Sequence, residues 1–314
     1  MIEVQNLTKY YKDFCAVNRI SMTIRKGEIL GLLGPNGAGK TTTLRMLTGY
    51  LRPSSGTIKV NELHMPEDVL KIKSLIGYLP ESAPLYHNML VYDYLDYVAR
   101  IKGISDKETR YDRLLRLSEL CGLSAIMDKP IADLSKGLKQ RAGLAHAMMS
   151  DPEILILDEP TSGLDPNQIV EIRDIIKRIG KEKTIVFSTH ILSEAEATCD
   201  RIAIINNGRV VADDTTLNLK KRVQENSLIR ISLRGADPEK ALALLKTIDS
   251  RLEVTLVDPV EENLVSFEIR SSGDQDFRSD IYLKIKETDW IIIQLAKESQ
   301  ALEKIFRELT REVA

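Results

Sequence analysis

The chain has 314 residues, of which 43% are hydrophobic and 29% are charged, so its composition allows a globular core of normal size. Its formal net charge is -2, and this lack of a basic excess leads us to expect no nucleic-acid partner. The three cysteines, Cys15, Cys121 and Cys199, form no paired motif, which argues against a disulfide framework or a zinc site.

No signal peptide and no membrane-spanning helix are predicted. Charged residues at Glu3, Lys9 and Lys12 interrupt the N-terminal segment. The longest apolar runs have the length of a strand, whereas a membrane helix needs about 20 apolar residues. If the protein acts at a membrane, we therefore expect a partner protein to hold it there.

From Met1 to about Asn218, short apolar runs alternate with amphipathic stretches, which predicts an α/β fold. Continuous apolar runs predict a parallel sheet that is covered on both faces. These runs are Ile29–Leu33, Ile154–Leu157 and Thr184–Ser188. Runs that alternate more predict an antiparallel subsheet at Ile2–Val4, Ile20–Ile24 and Ile58–Val60. A helical pattern from about Leu90 to Asp128 predicts an inserted helical subdomain, at about residues 90–150.

The pattern changes near residue 219, so we predict two domains, residues 1–219 and residues 220–314. The second domain shows strand and helix patterns in the order β-α-β-β-α-β, followed by a final helix. This order is that of a small ferredoxin-like α+β domain. The segments are Leu228–Leu233, Pro238–Ile248, Leu252–Val257, Leu264–Ile269, Asp276–Lys286, Trp290–Leu295 and Ala301–Arg311.

A glycine-rich motif of the form G-x-x-x-x-G-K-[ST] follows the first apolar run and precedes a predicted helix at Thr42–Leu47. Its backbone N–H groups and the helix N-terminus suit phosphate oxygens. We expect Lys40 to bind the β- and γ-phosphates, Thr41 to ligate Mg²⁺ and Thr42 to reach the α-phosphate. The predicted nucleoside triphosphate site consists of Gly34, Pro35, Asn36, Gly37, Ala38, Gly39, Lys40, Thr41 and Thr42.

Two further apolar runs end in polar residues that suit phosphate chemistry. Asp158 and Glu159 follow the second run, and the carboxyl end of a central parallel strand faces the ligand crevice. We expect Asp158 to hold Mg²⁺ and Glu159 to orient the water that attacks the γ-phosphorus. His190 follows the third run, where it could hydrogen-bond the γ-phosphate and help to hold Glu159 and the water.

Residues 134–141 read Leu-Ser-Lys-Gly-Leu-Lys-Gln-Arg and lead into a predicted helix at Ala142–Met149. They resemble the L-S-G-G-Q signature of ABC transporter ATPases. A Q-loop-like segment ending in Glu81, a D-loop from Ser162 to Asp165 and the switch histidine His190 follow the family's order. The resemblance extends from Met1 to about Leu217 and is greatest to exporters of the drug, bacitracin and gliding-motility class.

This resemblance implies a P-loop ATPase that binds ATP with Mg²⁺ and forms a head-to-tail dimer. Two ATP molecules would lie between the phosphate loop of one subunit and the signature of the other. Ser135 caps a helix start and Gly137 exposes a backbone N–H, so both could serve the partner's γ-phosphate, and Asp165 would act across the same interface. Tyr11 would stack on adenine, although Tyr10 competes for that role.

Two positions depart from the family's pattern. Glu81 stands where glutamine is usual, but a carboxylate still suits Mg²⁺, so we predict Glu81 as a metal ligand beside Thr41 and Asp158. Lys136 and Leu138 replace residues of the usual signature. Lys136 either adds positive charge near a phosphate or faces solvent, and the sequence does not decide between these two.

By this resemblance, the chain is the ATP-hydrolysing subunit of an ABC exporter with a separately encoded membrane permease. It would lie peripherally, through the permease, on the cytoplasmic face of a bacterial or archaeal membrane and most simply pair as a homodimer. The segment from about Ser82 to Tyr97 would receive a permease helix or only bury the base of the helical subdomain. Its apolar residues are Pro84, Leu85, Tyr86, Met89, Leu90 and Tyr92.

Two other functions remain open on the sequence alone. The first is an ABC ATPase that acts without transport, on ribosomes or DNA, although the chain has a single set of motifs and no long coiled coil. The second is a nucleotide-dependent switch with little turnover, although Glu159 favours hydrolysis. A GTPase is disfavoured, since the base-recognition motif N-K-x-D is missing from the sequence.

Overall fold

The computed structural model of the protein describes residues 1–219, 226–258, 264–272 and 275–298. The chain divides into two compact units, Met1–Thr216 and Leu217–Ala314. This division lies close to the boundary predicted near residue 219. That the two units act as separate functional domains stays a prediction.

The first unit contains two sheets and the helices that cover them. In chain order its strands are β1 (Ile2–Tyr11), β2 (Phe14–Ile24), β3 (Ile29–Leu33), β4 (Ser55–Val60), β5 (Leu63–His64), β6 (Ile76–Leu79), β7 (Ile154–Leu157), β8 (Thr184–Thr189), β9 (Arg201–Asn206) and β10 (Arg209–Thr215). Its helices are α1 (Lys40–Leu47), α2 (Val69–Leu75), α3 (Val91–Ile101), α4 (Lys107–Leu120), α5 (Lys136–Met148), α6 (Pro166–Gly180) and α7 (Leu192–Thr198).

The larger sheet has the strand order β10-β9-β3-β8-β7-β6. Its strands from β9 to β6 run parallel, and β10 pairs with β9 in the antiparallel sense. Every residue of β3, β7 and β8 is buried, as continuous apolar runs require. The predicted α/β class with a central parallel sheet is therefore confirmed.

The smaller sheet is antiparallel, with the order β2-β1-β4-β5, as the alternating patterns predicted. Its strands are longer than the predicted segments because β-bulges interrupt the alternation, for example between Val4 and Leu7. Helix α1 contacts both β2 and β8, and its residues Leu44, Met46 and Leu47 are completely buried. The loop before α1 is thus held by a core that both sheets share.

The helical subdomain is built from α3, α4 and α5, each in contact with the other two. The helix predicted at Ala142–Met149 begins earlier, at Lys136, because the side chain of Ser135 accepts a hydrogen bond from the Leu138 N–H and caps the helix. The short 3-10 turns Ser124–Ile126 and Ile131–Asp133 connect α4 to α5.

The second unit has the predicted order β-α-β-β-α-β. Its sheet order, β12-β13-β11-β14, is antiparallel throughout, as in a ferredoxin-like unit. The final helix predicted at Ala301–Arg311 lies outside the described residues. The elements are β11 (Asn226–Arg234), α8 (Pro238–Lys246), β12 (Leu252–Val257), β13 (Leu264–Ser272), α9 (Arg278–Ile285) and β14 (Ile291–Glu298).

A tyrosine–histidine contact joins α3 to α5 in the helical subdomain. The Tyr94 hydroxyl lies 2.5 Å from His146 Nδ1 and 3.2 Å from the carbonyl oxygen of Pro84. Burial lowers the pKa of His146 from its ordinary value of 6.5, and the nearby Lys102 charge acts in the same direction. Burial raises the pKa of Tyr94 to about 12. Both rings are therefore neutral at neutral pH.

We predict that His146 makes the fold less stable in mild acid. Below the ordinary pKa of 6.5, the unfolded chain takes up the proton before the folded chain does. The free energy of unfolding should therefore fall as the pH drops from 6.5 toward the lowered pKa. Denaturant titrations at several pH values should show that the free energy of unfolding depends less on pH in His146→Gln than in the wild type. His87→Gln changes an exposed histidine and is the control. Its free energy of unfolding should depend on pH as that of the wild type does.

Candidate active site

The candidate site is a cavity of about 400 Å³ beside the phosphate loop. It lies where β3, β7 and β8 end, so the fold brings together residues far apart in sequence. Its lining residues are Tyr11, Phe14, Ala16, Asn36, Gly37, Gly39, Lys40, Thr41, Thr42, Glu81, Glu159, Ser162 and His190. Most of the residues predicted to bind nucleotide or metal thus share one cavity. The predicted residues that do not line it are Gly34, Pro35, Ala38, Asp158, Ser135, Gly137 and Asp165.

The phosphate loop needs glycine at position 39 for two reasons. Gly39 has φ +103, a conformation that other residues rarely adopt, and an added Cβ would lie 2.5 Å from the carbonyl oxygen of Ala16. Gly39 also precedes α1, and no side chain of the described residues caps that helix. The first N–H groups of α1 are therefore free to donate to phosphate oxygens.

Lys40 is buried at the base of the cavity. Its Nζ donates to the carbonyl oxygens of Gly34, at 2.8 Å, and Pro35, at 3.2 Å. It also lies 3.2 Å from Glu159 Oε1. These contacts hold an ammonium group in a cavity whose backbone donors suit phosphate oxygens. Phosphate oxygens could replace Glu159 as its anionic partner.

Oxygen atoms suited to Mg²⁺ lie beside Lys40. The Thr41 hydroxyl donates to Asp158 Oδ1 at 2.9 Å, and the Ser188 hydroxyl donates to the same oxygen at 2.8 Å. Burial raises the pKa of Asp158, although these two hydrogen bonds oppose that shift. Glu81 Oε1 accepts from the Ser162 hydroxyl at 3.4 Å across the cavity. Hydroxyl and carboxylate oxygens are hard ligands, so this donor set fits Mg²⁺.

Glu159 occupies a strained backbone position next to the phosphate loop. Its φ of 46 lies in the left-handed region, and its N–H donates to the Ser188 hydroxyl at 2.9 Å. Its Oε2 lies 2.9 Å from His190 Nδ1. The carboxylate is almost fully buried, whereas the His190 side chain is 43% exposed. Both residues line the cavity, where a water could meet a terminal phosphate.

The structure separates the two tyrosines that compete for the adenine-stacking role. Tyr10 and Tyr11 have similar exposures of 50% and 45%, but only Tyr11 lines the cavity. Phe14 also lines it, since β1 and β2 pair Tyr11 with Phe14 across the hairpin turn. Sequence analysis missed Phe14, although its place just after a two-residue turn indicates a position facing Tyr11.

The signature and the D-loop form a second surface, outside the cavity. Ser135 caps α5, and Asp165 caps α6 by accepting a hydrogen bond from the Gln168 N–H at 3.0 Å. The two helix starts touch each other, because an added Cβ on Gly137 would lie 2.7 Å from Gln168 Cδ. Ser135 is exposed at the start of α5, but Gly137 is buried against Gln168, whereas the sequence led us to expect an exposed N–H at Gly137. Neither residue lines the cavity of the chain's own phosphate loop.

Two further contacts join the signature helix to the helix of the D-loop. Arg141 on α5 forms an ion pair with Glu171 on α6. The side chain of Lys136 is exposed and lies over Gly163, where an added Cβ would collide with its amino group. Lys136 is therefore next to the D-loop of its own chain and does not line the cavity of its own phosphate loop.

Fold and site together define a P-loop ATPase, and comparisons with known proteins identify its family. Residues 17–162 match the family model described as ABC transporter. The chain is 30% identical over 311 residues to the linearmycin resistance ATP-binding protein LnrL of Bacillus subtilis (strain 168), with 99% of this chain and 98% of that protein covered. It is 38% identical over 224 residues to the bacitracin transport ATP-binding protein BcrA of Enterococcus faecalis, with 71% of each chain covered.

Solved structures of ATP-binding cassettes agree with this result. A dimeric post-hydrolysis state of the cassette MJ0796, bound to ADP and Pi, is 25% identical with a TM-score of 0.64, covering 69% of this chain and 99% of that chain. CbiO1 of Clostridium perfringens is 29% identical with a TM-score of 0.65, covering 71% of this chain and 92% of that chain. The chain belongs to the ABC transporter ATP-binding proteins. It is an ATPase that uses ATP with Mg²⁺, as the sequence predicted.

We predict that Tyr11 and not Tyr10 contacts the adenine base. Base–aromatic stacking contributes about 1–3 kcal/mol, so Tyr11→Ala should raise the Kd for ATP by about 5- to 150-fold. Tyr10→Ala is a matched control and should bind ATP as the wild type does. Titration with a fluorescent ATP analogue and with ADP measures the nucleotide affinity of each variant. Equal losses in the two variants would contradict the assignment.

Proposed function

We propose that this chain powers substrate export through a separate membrane permease by ATP-driven pairing of two copies. The observation that carries the proposal is that the signature and D-loop residues lie outside the phosphate-loop cavity, so that one chain would present two separate surfaces to phosphate. One is the phosphate-loop cavity, and the other is the signature surface with Ser135, Gly137 and Asp165. Each surface would be completed by the opposite surface of a second copy, and both look chemically competent, so we infer a homodimer.

The contacts around Lys40 support a mechanism in which ATP releases the catalytic carboxylate. Glu159 now contacts both Lys40 and His190. When the γ-phosphate of ATP binds Lys40, the Glu159 oxygen that faced the lysine is free to accept a proton from the attacking water. His190 then hydrogen-bonds the γ-phosphate while it remains beside Glu159. Bound Mg²⁺ neutralises phosphate charge, and Thr41, Asp158 and Glu81 would hold it.

The names of the relatives support the export role. The relatives reported above are named for bacitracin transport and linearmycin resistance, and they are bacterial. No helix of the described residues is long and apolar enough to cross a membrane. We therefore infer that a permease holds the protein at the cytoplasmic face of a bacterial or archaeal membrane.

The segment after the Q-loop contains both exposed and buried apolar residues. Leu85 is 8% exposed, so it belongs to the base of the helical subdomain. Tyr86, Leu90 and Tyr92 are exposed, and the Tyr86 ring lies 5.7 Å from the ring of Tyr97. An exposed aromatic cluster of this kind suits an apolar helix. We infer that this cluster receives the permease helix.

We predict that Glu159→Gln binds ATP but does not turn it over. The substitution keeps the shape and removes the base, so the ATPase rate should fall at least about 100-fold. The variant should form a stable dimer with MgATP, measured by light scattering after size exclusion. Glu153→Gln, at the exposed opposite end of β7, is the control and should behave as the wild type. A Glu159→Gln protein that stays monomeric with ATP and still hydrolyses it would refute the proposed mechanism.

We predict that the C-terminal unit is not needed for nucleotide binding. The first unit has its own core and contains every residue of the cavity, and the second unit has a separate core. We infer a dimerisation or regulatory role for the second unit. A chain ending at residue 219 should bind ATP with the affinity of the full chain, measured by calorimetry. Loss of ATP binding in a folded truncated chain would contradict this division.

A further inference from the structure

A buried glutamate links the two loops that carry Glu159 and His190. Glu194 lies on α7 and is 4% exposed. Its Oε2 accepts hydrogen bonds from the hydroxyls of Thr161, at 2.7 Å, and Thr189, at 2.9 Å. Both threonines are buried. One carboxylate oxygen thus connects the loop between β7 and α6 to the end of β8.

The two threonines adjoin the proposed reacting residues. Thr161 follows Glu159 by two positions, and Thr189 immediately precedes His190. The Thr189 hydroxyl also accepts a hydrogen bond from the Ile191 N–H at 3.0 Å, so it fixes the backbone on both sides of His190. The buried link is therefore a second connection between these loops, beside the direct contact of Glu159 with His190.

The direct contacts of Glu159 must change when ATP and water enter, but the buried link need not. Glu159 also holds a strained backbone conformation, which persists only where the surroundings fix it. Threonines that adjoin the reacting residues but do not line the cavity can preserve their spacing through that change.

The link is costly for the fold. Glu194 Oε1 is buried and, within the described residues, has no hydrogen-bond partner. A buried carboxylate with one oxygen unsatisfied destabilises a protein. Stability alone therefore does not explain a glutamate here. Hydrogen bonds to a charged acceptor are stronger than those to a neutral one, so a carboxylate holds the two hydroxyls more firmly than an amide would.

We propose that Glu194 is a positioning residue for ATP hydrolysis. It holds Thr161 and Thr189, so that Glu159 and His190 keep their spacing after ATP has displaced Glu159 from Lys40. The inference rests on the roles proposed for Glu159 and His190. It assigns the effect of Glu194 to the hydrolysis step and not to the binding of ATP.

The test compares two substitutions at Thr189 that differ in one hydroxyl group. Thr189→Val keeps the shape and removes the hydroxyl, and should lower kcat about tenfold without changing the Kd for ATP. Thr189→Ser restores the hydroxyl and should recover most of the lost turnover. The pair Thr161→Val and Thr161→Ser repeats the comparison in the other loop. This second pair replaces the first as the test if Thr189→Val does not fold.

A double-mutant cycle tests whether Glu194 acts through the threonine. Glu194→Gln should lower kcat in the wild type but have a smaller effect in the Thr189→Val background, because the contact is already lost. Glu196→Gln removes a carboxylate from the same helix and should have no effect on kcat. Fully additive losses, a Thr189→Val that turns over like the wild type, or a loss that appears only as weaker ATP binding would overturn the proposal.

The Glu159→Gln variant distinguishes failure of the positioning role of Glu194 from failure of the proposed hydrolysis mechanism. If Glu159→Gln abolishes hydrolysis while the valine variants have normal kcat, the proposed base stands and the positioning role is wrong. If Glu159→Gln hydrolyses ATP normally, the mechanism to which the positioning role belongs is wrong.

Discussion

The site depends on the register of three parallel strands. β3 lies between β9 and β8, and β8 pairs with β7, so that Leu33 lies beside Thr189 and Leu157 beside Phe187. Because parallel strands end at the same edge of the sheet, the phosphate loop, the pair Asp158–Glu159 and His190 follow these ends and meet. A shift of one residue in this register would turn every side chain of a strand to the opposite face. The buried side chains on both faces of the sheet prevent such a shift.

Around this edge, the contacts that line the cavity differ in role from those that lie behind it. Lys40, Glu159 and His190 form a chain of charged or polar contacts at the cavity, and these are the contacts that a nucleotide can exchange. Behind them, the Ser188 hydroxyl donates to Asp158 and accepts from the Glu159 N–H. Ser188 is completely buried, so no ligand competes for it. The site therefore combines contacts at the cavity that a nucleotide can replace with buried hydrogen bonds of Ser188 that stay in place.

Motifs with a fixed spacing predicted the phosphate loop, Asp158, Glu159 and His190. This was possible because binding a nucleotide requires particular backbone conformations and charges, and few residue types meet those requirements at each position. Continuous apolar runs predicted the central strands. The roles of Ser188 and Glu194 were not predicted. Each is a single polar residue in or after an apolar run, and such a residue belongs to no sequence pattern from which its hydrogen-bond partner can be predicted. Tyr11 could not be separated from Tyr10 by sequence, because β-bulges in β1 disturb the alternation that would assign each to a face.

The contacts between α5 and α6 have a consequence for how two active sites would communicate. The signature begins α5 and the D-loop begins α6, and they are joined by the Arg141–Glu171 ion pair and by the packing of Gly137 on Gln168. In the proposed head-to-tail dimer, the signature of a chain would face one nucleotide while its D-loop would adjoin the interface with the other. A displacement of either element would then be transmitted to the other through these contacts. The two nucleotides would be energetically coupled, and by thermodynamic reciprocity each would alter the affinity for the other to the same degree.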